Sequence, residues 1–431
     1  MRILLLGAYG FIGLAIARRL QQAGHHIVGF GRDLDLGRRL APDLAWTGAD
    51  LATLVDEAAW QPYLDGIDAV VNAAGALQDG ARDKLAASQE RAISALIAAC
   101  EARGIRTFIQ ISAPGADPAA QIAFLRTKGA ADDALRRSTL DWTILKPGLV
   151  IGANAYGSTA LLRMIAALPL VQLLAFGTSK VQVVALGEVA DAVCSCLAGE
   201  VPKRATFDLV AAEPHTLRDL VLKLRRWLGL PAPIAICDLP TPIGRGLAQL
   251  ADLAGWFGWR SPLRSSALDV LSQGVAGDPE PWRAATGRDL AELDAILNQL
   301  PSTRQERIFA RSQLVLPALV LTLALFWLLS GLIGLWQWRE AVAVLPPSVS
   351  RELAASFVIL GSLADIAIGI GFLFRRWLVR AALGAVAVSL AYLVAGTVLT
   401  PSLWADPLGP FVKILPATAL AVAVMAIAGE R

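Results

Sequence analysis

Apolar and polar positions follow a repeating block pattern along the first 150 residues, and this pattern predicts alternating strands and helices. Residues 3–6 form an apolar run without a polar break, as expected for a strand that is buried on both faces. From Phe11 the apolar positions recur every three or four residues, which predicts an amphipathic helix. Further strands are predicted over 25–32, 48–51, 67–75, 106–112 and 140–152, and helices over 85–102 and 124–138. The alternation predicts an α/β Rossmann fold with a doubly wound parallel sheet.

The last third of the chain has a different pattern, with four long apolar runs. Each run approaches or exceeds the roughly 20 residues that span a bilayer. Short connections separate the runs, so they predict an all-α, antiparallel four-helix transmembrane bundle. The runs cover about 312–336, 352–374, 377–400 and 409–428. We therefore predict an α/β domain over 1–300, a linker over 301–311 and a membrane domain over 312–431.

Composition supports the membrane segments and argues against a nucleic-acid partner. Hydrophobic residues make up 55% of the chain and charged residues 17%, whereas soluble domains average roughly 45–50% and 25%. The net charge is only +3, which provides no strong field for a polyanion. The three histidines and four cysteines show no metal-ligand spacing, so no metal site is expected.

Three glycines mark the junction between the first strand and the first helix. Gly7, Gly10 and Gly13 have the spacing Gly-x-x-Gly-x-x-Gly. Because they lack a Cβ, glycines let the turn bend tightly, bring backbone amides against a pyrophosphate and pack the helix close to the strand. In this position the triplet predicts a dinucleotide site. The alternative is a tight turn without a ligand.

The end of the second predicted strand bears on the choice of cofactor. A carboxylate there would accept the ribose hydroxyls of NAD(H), whereas an arginine can pair with the 2′-phosphate of NADP(H). Gly31 occupies this end and Arg32 follows, with Arg38 and Arg39 nearby. We therefore favour NADP(H) over NAD(H), although Asp33 is adjacent. The alternative is that these arginines lie in a solvated loop.

Other candidate contacts to the nucleotide lie at the ends of the predicted strands. Asp50 would accept a hydrogen bond from the adenine amino group, and the small residues of 73–75 leave room for backbone against the cofactor. The candidate nucleotide contacts after the first four predicted strands are Gly7, Tyr9, Gly10, Phe11, Ile12, Gly13, Arg32, Asp50, Leu51, Ala73, Ala74 and Gly75.

Five segments, in order, resemble the atypical short-chain dehydrogenase/reductase superfamily: GAYGFIG, NAAG, QISAPGADP, FLRTKGAAD and WTILKPGLVIG. They are similar to its NAD(P)-binding branch that includes the accessory nucleotide-binding subunit of respiratory complex I. The resemblance covers roughly residues 1–215 well and is looser over 215–300. It implies that the domain over 1–300 binds NAD(P), with a substrate-side lobe within about 150–300. It implies an NAD(P)H-dependent oxidoreductase, and it adds Ser112, Lys128, Pro147 and Gly148 to the candidate cofactor contacts.

The resemblance also implies a catalytic set, from which this chain departs. The family uses a serine and a Tyr-x-x-x-Lys pair, in which the lysine holds the nicotinamide ribose and the tyrosine exchanges a proton with the substrate. Ser112 matches the serine and Lys128 the lysine, but Phe124 stands where the family has tyrosine. Tyr156 and Thr127 are candidate substitutes. The chain is therefore either an enzyme without the usual acid or a non-catalytic NADP(H)-binding scaffold or regulator of a membrane complex.

The four-span layout and the segment DPLGPFVKILP resemble a DoxX-like membrane domain. This resemblance implies quinone-coupled redox chemistry, and hence a quinone or other lipophilic substrate, with other membrane-complex subunits as possible partners. Asp365 is the one acid deep in a predicted span. Such residues are costly in lipid and often functional. Asp365 is interpreted either as a site of proton or quinone handling or as a hydrogen-bond partner of a neighbouring helix, through Tyr392.

Basic residues predict the orientation in the bilayer. They precede the first span and lie between the second and the third, at Arg304, Arg307, Arg311, Arg375, Arg376 and Arg380. The positive-inside rule then places the N-terminal domain and the C-terminus in the cytoplasm of a multi-pass protein of the inner (cytoplasmic) membrane. The apolar run 3–6 is too short for a signal peptide, which agrees with this orientation.

One apolar segment outside the predicted spans has two interpretations. Residues 241–260 are rich in apolar side chains, with Trp256, Phe257 and Trp259 at one end. They form either a helix packed in the core or an interfacial helix on the bilayer, since aromatic residues are favoured at the headgroup level.

Overall fold

The computed structural model describes residues 1–75, 84–259, 263, 265–407 and 409–428 of the 431. The chain divides into two compact units. The first contains Met1–Asp252 and Ser261–Glu306, and the second contains Leu253–Arg260 and Arg307–Arg431. Each unit is described by itself below.

The first unit is built on a seven-stranded parallel sheet. The strands in the described residues are β1 (Arg2–Leu6), β2 (His26–Phe30), β3 (Ala45–Thr47), β4 (Ala69–Asn72), β5 (Thr107–Ile111), β6 (Asp141–Pro147), β7 (Leu149–Ile151), β8 (Val171–Leu174), β9 (Lys180–Val181), β10 (Val183–Ala185), β11 (Ala205–Leu209), β12 (His215–Thr216) and β13 (Ala235–Asp238). The order of the strands in the main sheet is β11-β6-β5-β4-β1-β2-β3, which confirms the predicted Rossmann fold. Short additional pairs join β7 to β10, β9 to β12 and β8 to β13.

Helices cover both faces of this sheet, which explains the unbroken apolar run of β1. Ile3 and Leu5 join the core on one face, and Leu4 and Leu6 join the core on the other. Successive side chains of a strand point to opposite faces, so a strand covered on both needs apolar residues throughout. The helices are α1 (Phe11–Gln22), α2 (Leu34–Leu40), α3 (Glu57–Trp60), α4 (Ala92–Arg103), α5 (Ala123–Arg137), α6 (Ser158–Ala166), α7 (Leu186–Ala198), α8 (Leu217–Trp227), α9 (Thr241–Trp256), α10 (Ser265–Gln273), α11 (Glu280–Thr286) and α12 (Leu293–Gln299).

The third strand lies earlier than predicted. β3 ends at Thr47, so the prediction of a strand over 48–51 was wrong. Gly48 leaves the sheet close against the backbone of Gly31, where a Cβ would lie 1.8 Å from the Gly31 carbonyl oxygen. Asp50 then caps a short 3₁₀ helix, Leu51–Thr53, by accepting a hydrogen bond from the Ala52 amide at 3.0 Å. The side chain of Asp50 therefore favours a turn over further extension.

The second unit is helical, and four of its helices are long and apolar enough to cross a membrane. The prediction of four such segments is confirmed. The first of them begins at Arg304, so residues 304–311 of the predicted linker are helical. Small residues allow close packing, since a Cβ at Gly331 would lie 2.4 Å from the carbonyl oxygen of Ser362. The helices are α13 (Arg304–Trp336), α14 (Trp338–Ala343), α15 (Arg351–Leu373), α16 (Leu378–Leu399) and α17 (Pro410–Ala428).

Candidate nucleotide-binding site

The turn between β1 and α1 has no room for side chains at its glycines. Gly7 has a positive φ of 71°, and a Cβ there would lie 2.9 Å from the carbonyl oxygen of Ala73. A Cβ at Gly13 would lie 2.1 Å from the carbonyl oxygen of Gly7. The Gly10 amide donates to that same carbonyl oxygen at 2.8 Å. The turn is therefore compact, and its backbone is open to a ligand.

The N-terminus of α1 follows directly from this turn. Gly10 is its N-cap residue and provides no side-chain hydrogen bond, and the first turn contains no acidic residue. The amides of Phe11, Ile12 and Gly13 are those that a helix cannot satisfy internally, and together with the helix dipole they favour an anion. A pyrophosphate fits this arrangement, because the glycine cradle lets it approach the backbone.

Tyr9 connects the glycine turn to the end of β2. Its hydroxyl accepts hydrogen bonds from the Arg32 amide at 3.2 Å and the Asp33 amide at 3.3 Å. Its ring lies across Gly31, where a Cβ would be 2.2 Å from a ring carbon. The Asp33 carboxylate accepts from the Leu36 amide at 3.0 Å and caps α2. The acid next to Arg32 is therefore engaged by its own helix.

The end of β4 is held by a buried amide pair that sequence reasoning missed. The Asn72 side chain donates to Oε1 of Gln110 on the adjacent strand at 2.8 Å and accepts from the Ala74 amide at 3.0 Å. These bonds fix the backbone of Ala73 and Ala74, which face Gly7. The signal in the sequence was the polar Asn72 at the end of an otherwise apolar strand.

Lys128 extends from α5 to the ends of two central strands. Its ammonium donates to the carbonyl oxygens of Ala74 at 3.1 Å and Ile111 at 2.8 Å. The side chain is only 4% exposed, and this burial lowers the pKa of Lys128 to about 8. A Cβ at Gly75 would lie 3.4 Å from the ammonium nitrogen. The structure thus brings Lys128 and residues 73–75 together at the carboxyl edge of the sheet.

Ser112 lies at the same edge, but its hydroxyl points to an acid that the sequence did not suggest. Its Oγ donates to Oδ2 of Asp132 at 2.6 Å. Asp132 is fully buried, and burial raises its pKa despite the nearby lysines. Within the described part of the chain, Asp132 Oδ1 has no hydrogen-bond partner. The only signal in the sequence was the four-residue spacing from Lys128, which places both side chains on one face of α5.

Phe124 lies one helical turn before Lys128 and lines a cavity of about 570 Å³. Most of the other lining residues are polar, including a guanidinium, a carboxylate and three serine hydroxyls. The cavity is of the size that binds small molecules. It is lined by Leu85, Gln121, Ile122, Ala123, Phe124, Arg245, Ser265, Ser266, Asp269, Ser272 and Gln273.

The two candidate substitutes for the family tyrosine have different surroundings. The Thr127 hydroxyl is buried and donates to the Ala123 carbonyl oxygen of its own helix at 3.0 Å. Tyr156 is exposed, and its ring stacks on Phe11 with a centroid distance of 6.1 Å. Of the two, Tyr156 is the one next to the N-terminus of α1.

The predicted cofactor contacts Pro147 and Gly148 lie at the end of β6, where the Gly148 amide donates to the Leu209 carbonyl oxygen at 2.9 Å.

A polar cluster forms in the first unit at His215, which the sequence placed outside any metal site. Possible ligand atoms of Glu213, His215 and Glu292 lie within 4.8 Å of one another. Glu292 also accepts a hydrogen bond from the Glu213 amide at 3.1 Å. This bond joins the segment before β12 to the start of α12, so the cluster has an evident structural role.

Asp365 in the second unit is hydrogen-bonded by two neighbouring helices. The Tyr392 hydroxyl of α16 donates to its Oδ1 at 2.9 Å, and the Ser330 hydroxyl of α13 donates to its Oδ2 at 3.0 Å. The bond to Tyr392 that the sequence suggested is therefore present. The network connects three of the four long apolar helices.

Replacing Asp365 is expected to loosen this helix packing. Asp365→Leu removes the acceptor of both hydroxyls and should lower the free energy of unfolding by about 1–2 kcal/mol, since interhelical hydrogen bonds in membranes average less than 1 kcal/mol each. Asp365→Asn keeps one acceptor oxygen and should lose less. The midpoint of thermal unfolding of the detergent-purified protein measures the difference. Equal midpoints for Asp365→Leu and wild type would contradict a structural role for the network.

Two family models match the chain, one in each unit. A model described as NAD(P)H-binding matches residues 7–163, and a model of the DoxX-like family matches residues 324–422. The first match contains the glycine turn, Ser112 and Lys128. The second contains Asp365 and Tyr392.

A curated relative and several solved structures are similar to the first unit. The chain is 25% identical over 241 residues to NADH dehydrogenase (ubiquinone) 1 alpha subcomplex subunit 9 of Arabidopsis thaliana mitochondria, an alignment that covers 53% of this chain and 60% of the plant protein. The Thermus thermophilus UDP-glucose 4-epimerase in complex with NAD is 18% identical with a TM-score of 0.52, covering 72% of this chain and 99% of the enzyme. The Escherichia coli NADPH-dependent quinone oxidoreductase in complex with NADPH is 19% identical with a TM-score of 0.52, covering 69% and 98%.

These similarities agree with the architecture and with the glycine cradle. The solved structures show the fold, and the family models identify the two domains within it. The chain therefore joins an NAD(P)H-binding domain with a Rossmann-like fold to a DoxX-like membrane domain.

Proposed function

We propose that this protein is a membrane-anchored oxidoreductase that uses NADP(H) in preference to NAD(H) and reduces a quinone-type or other lipophilic acceptor. The observation that carries the proposal is the position of Lys128. Its buried ammonium lies at the carboxyl edge of the sheet beside Gly75, and Phe124, four residues earlier on the same helix, lines a cavity. Cofactors of this fold bind at that edge, so the cavity adjoins the place where hydride transfer would occur.

The residues of this chain have distinct tasks in such a reaction. The amides at the N-terminus of α1 bind the pyrophosphate, and Gly7 and Gly13 keep the approach free of side chains. Lys128 binds a hydroxyl of the nicotinamide ribose and sets its position. When bound, the cofactor supplies a hydride. Reduction of a quinone consumes that hydride and one proton, and the product is a hydroquinone.

We assign delivery of the proton to Tyr156. Phe124 has no proton to donate, and the Thr127 hydroxyl is engaged within its helix. Tyr156 lies on Phe11 at the N-terminus of α1 and is exposed, so its hydroxyl can exchange protons with solvent. Tyr156→Phe is expected to lower kcat by about 10²-fold, at the lower end for the loss of a general acid, with little change in NADPH affinity. Steady-state NADPH oxidation with a quinone acceptor measures the effect.

Tyr63→Phe is the matched control, because Tyr63 packs against Phe30 and Trp60 in the first unit. It should leave kcat unchanged. If Tyr156→Phe also turns over at the wild-type rate, the proton comes from another source and the assignment is wrong.

The preference for NADP(H) rests on the end of β2. The Asp33 carboxylate caps α2, so the residue that favours NAD(H) in other sites of this type is engaged here. Arg32→Ala is expected to weaken NADPH binding by about 10- to 100-fold, as for loss of a hydrogen bond to a charged group. NADH affinity should change little. Titration of intrinsic fluorescence with each nucleotide measures both dissociation constants.

Arg18→Ala provides the control for a general loss of positive charge, since Arg18 pairs with Asp43 on the surface. Its two nucleotide affinities should match those of wild type. An equal loss of NADPH and NADH affinity in Arg32→Ala would contradict recognition of the 2′-phosphate.

The membrane unit supports a lipophilic acceptor. A redox domain fused to four apolar helices operates next to compounds dissolved in the bilayer, and quinones are such compounds. The basic residues at the ends of these helices support a cytoplasmic location for the nucleotide-binding domain and the C-terminus. The direct test is NADPH oxidation by the detergent-purified protein with a panel of quinones and carbonyl compounds. No activity with any acceptor would contradict the enzymatic proposal.

A second function, a non-catalytic NADP(H)-binding scaffold or regulator, is favoured by specific contacts. Phe124 replaces the family tyrosine, and the Ser112 hydroxyl donates to Asp132 inside the protein. The Arabidopsis relative is named as a subunit of NADH dehydrogenase, which suits a partner in a membrane complex. This function predicts tightly retained nucleotide, no turnover and subunits that co-purify in mild detergent. Recovery of an active protein alone would exclude it.

A further inference from the structure

Helix α9 packs with its small side chains inward and exposes its large apolar ones. Gly244 and Ala248 are buried against the first unit, where a Cβ on Gly244 would lie 3.4 Å from the Ala175 Cβ. Leu250 is 66% exposed and Leu253 is 62% exposed. The exposed apolar residues recur at helical spacing and form one face, the apolar face of α9: Ile243, Leu247, Leu250 and Leu253.

The pattern of buried and exposed side chains in α9 is the reverse of that in a helix on the surface of a soluble domain. Such a helix turns its large apolar side chains to the core and its polar side chains to water. In α9 the polar residues Arg245, Gln249 and Asp252 form a separate side, and the residues of the apolar face are 46–66% exposed. Contiguous exposed apolar residues of this kind mark a surface that contacts another apolar phase.

The C-terminal end of α9 lies in the second compact unit, against the end of a long apolar helix. The Phe257 carbonyl oxygen accepts from the Arg375 amide at 3.0 Å, and the Phe257 ring meets that of Phe374 edge-on at 5.2 Å. The Trp259 indole donates to the Leu373 carbonyl oxygen at 2.7 Å. Leu373 is the last residue of α15. The end of α9 is therefore fixed where a candidate membrane span terminates, in a region with aromatic and arginine side chains that favour the headgroup level.

The length and the charged residues of α9 suit a helix that lies at the surface of the bilayer, not one that crosses it. It has 16 residues, fewer than the roughly 20 needed to cross. Arg245 and Asp252 would also be costly inside hydrocarbon. A helix with one apolar face, one polar side and aromatic residues at its end lies in the plane of the interface.

We propose that α9 is an interfacial helix whose apolar face, Ile243, Leu247, Leu250 and Leu253, is embedded in the headgroup layer of the lipid bilayer. The contact is independent of whether the protein turns over NADPH. Arg245, on the polar side of the same helix, lines the cavity next to Phe124.

Nitroxide labels on adjacent residues of α9 test this proposal in the full-length protein. Leu247→Cys and Leu250→Cys place labels on the apolar face, and Gln249→Cys places one on the polar side. Cys194, Cys196 and Cys237 are replaced by alanine, and buried Cys100 is retained. The protein is reconstituted in nanodiscs of phosphatidylethanolamine and phosphatidylglycerol. Power saturation then compares collisions of each label with oxygen, which partitions into lipid, and with a water-soluble nickel chelate.

The proposal requires the ratio of oxygen to nickel collisions to be several-fold higher at 247 and 250 than at 249. Equal, water-like ratios at all three positions would overturn it, because the apolar face would then lie in solvent. Low collision rates with both reagents at 247 and 250 would also overturn it, since a protein surface, such as a second copy of this chain, would cover the face. Elution as a single species and unchanged helical circular dichroism confirm that each variant is folded.

Discussion

Replacing Gly7 with alanine is expected to abolish NADPH binding and to lower the free energy of unfolding by about 2–4 kcal/mol. The φ of Gly7 is 71°, which side chains other than glycine adopt at a cost, and the added Cβ would lie 2.9 Å from the backbone of Ala73 and Ala74. Neither neighbour can yield easily, because Ala74 is tied to Asn72 and its carbonyl oxygen accepts from Lys128. Nucleotide binding by calorimetry and thermal unfolding measure the two effects.

Gly187→Ala is the matched control for Gly7→Ala. Gly187 lies in α7, where φ is negative and no heavy atom of a described residue outside the helix backbone lies within 4 Å of the added Cβ. The control should bind NADPH as wild type does and unfold at the same or a slightly higher temperature, because alanine favours the helix. If Gly7→Ala retained wild-type NADPH affinity, the glycine turn would not be the pyrophosphate site, and the proposed cofactor function would lose its main support.

Lys128→Met is expected to reduce kcat/KM for NADPH oxidation by about 10²–10⁴-fold, the range for a group that assists proton transfer and positioning. The ammonium lies between the carbonyl oxygens of Ala74 and Ile111, at the edge where the nicotinamide ribose would bind. Methionine preserves the apolar stem but removes the charge. Lys223→Met serves as the control, since Lys223 is a largely buried lysine of α8 that pairs with Asp294 at 2.8 Å. An active Lys128→Met with normal KM would exclude a role for this lysine in the reaction.

The same variant changes how stability depends on pH, and this effect does not require turnover. Burial lowers the pKa of Lys128 from 10.5 to about 8. Between these values the unfolded chain holds a proton on this lysine that the folded chain has released, so folding becomes more favourable as pH rises. Wild type should therefore gain stability relative to Lys128→Met between pH 8 and 10.5, by up to about 3 kcal/mol. A constant difference in unfolding midpoint across this range would contradict a lowered pKa of Lys128 in the folded protein.

Local sequence was sufficient to predict the elements whose structure depends on residues near one another in the chain. The apolar run of β1, the glycine spacing and the helical period after Phe11 all act within about 15 residues, and the structure has the predicted strand, turn and helix. The four long apolar helices follow from length and composition in the same way. The third strand was misplaced because its end depends on the distant Gly31 backbone, which Gly48 contacts.

The parts of the candidate site that sequence missed depend on contacts across the sheet. Asp132 could be placed on the same helical face as Lys128, but only the approach of β5 to α5 brings the Ser112 hydroxyl to it. Tyr9 was a candidate contact from its place in the glycine turn. Its bonds to the amides of Arg32 and Asp33 arise because β1 and β2 are adjacent and parallel.

Periodicity, run length and glycine spacing are local properties, so the residues alone predicted the α/β class of the first unit, the four apolar helices and the candidate nucleotide turn. Tertiary structure alone decided which face of α9 is exposed, since the same apolar pattern suits a core helix and an interfacial helix. It also decided which partners Ser112, Asp132, Asp365 and Tyr392 have. These pairs are separated by 20 or more residues, and only the packing of whole elements sets the distance between their side chains.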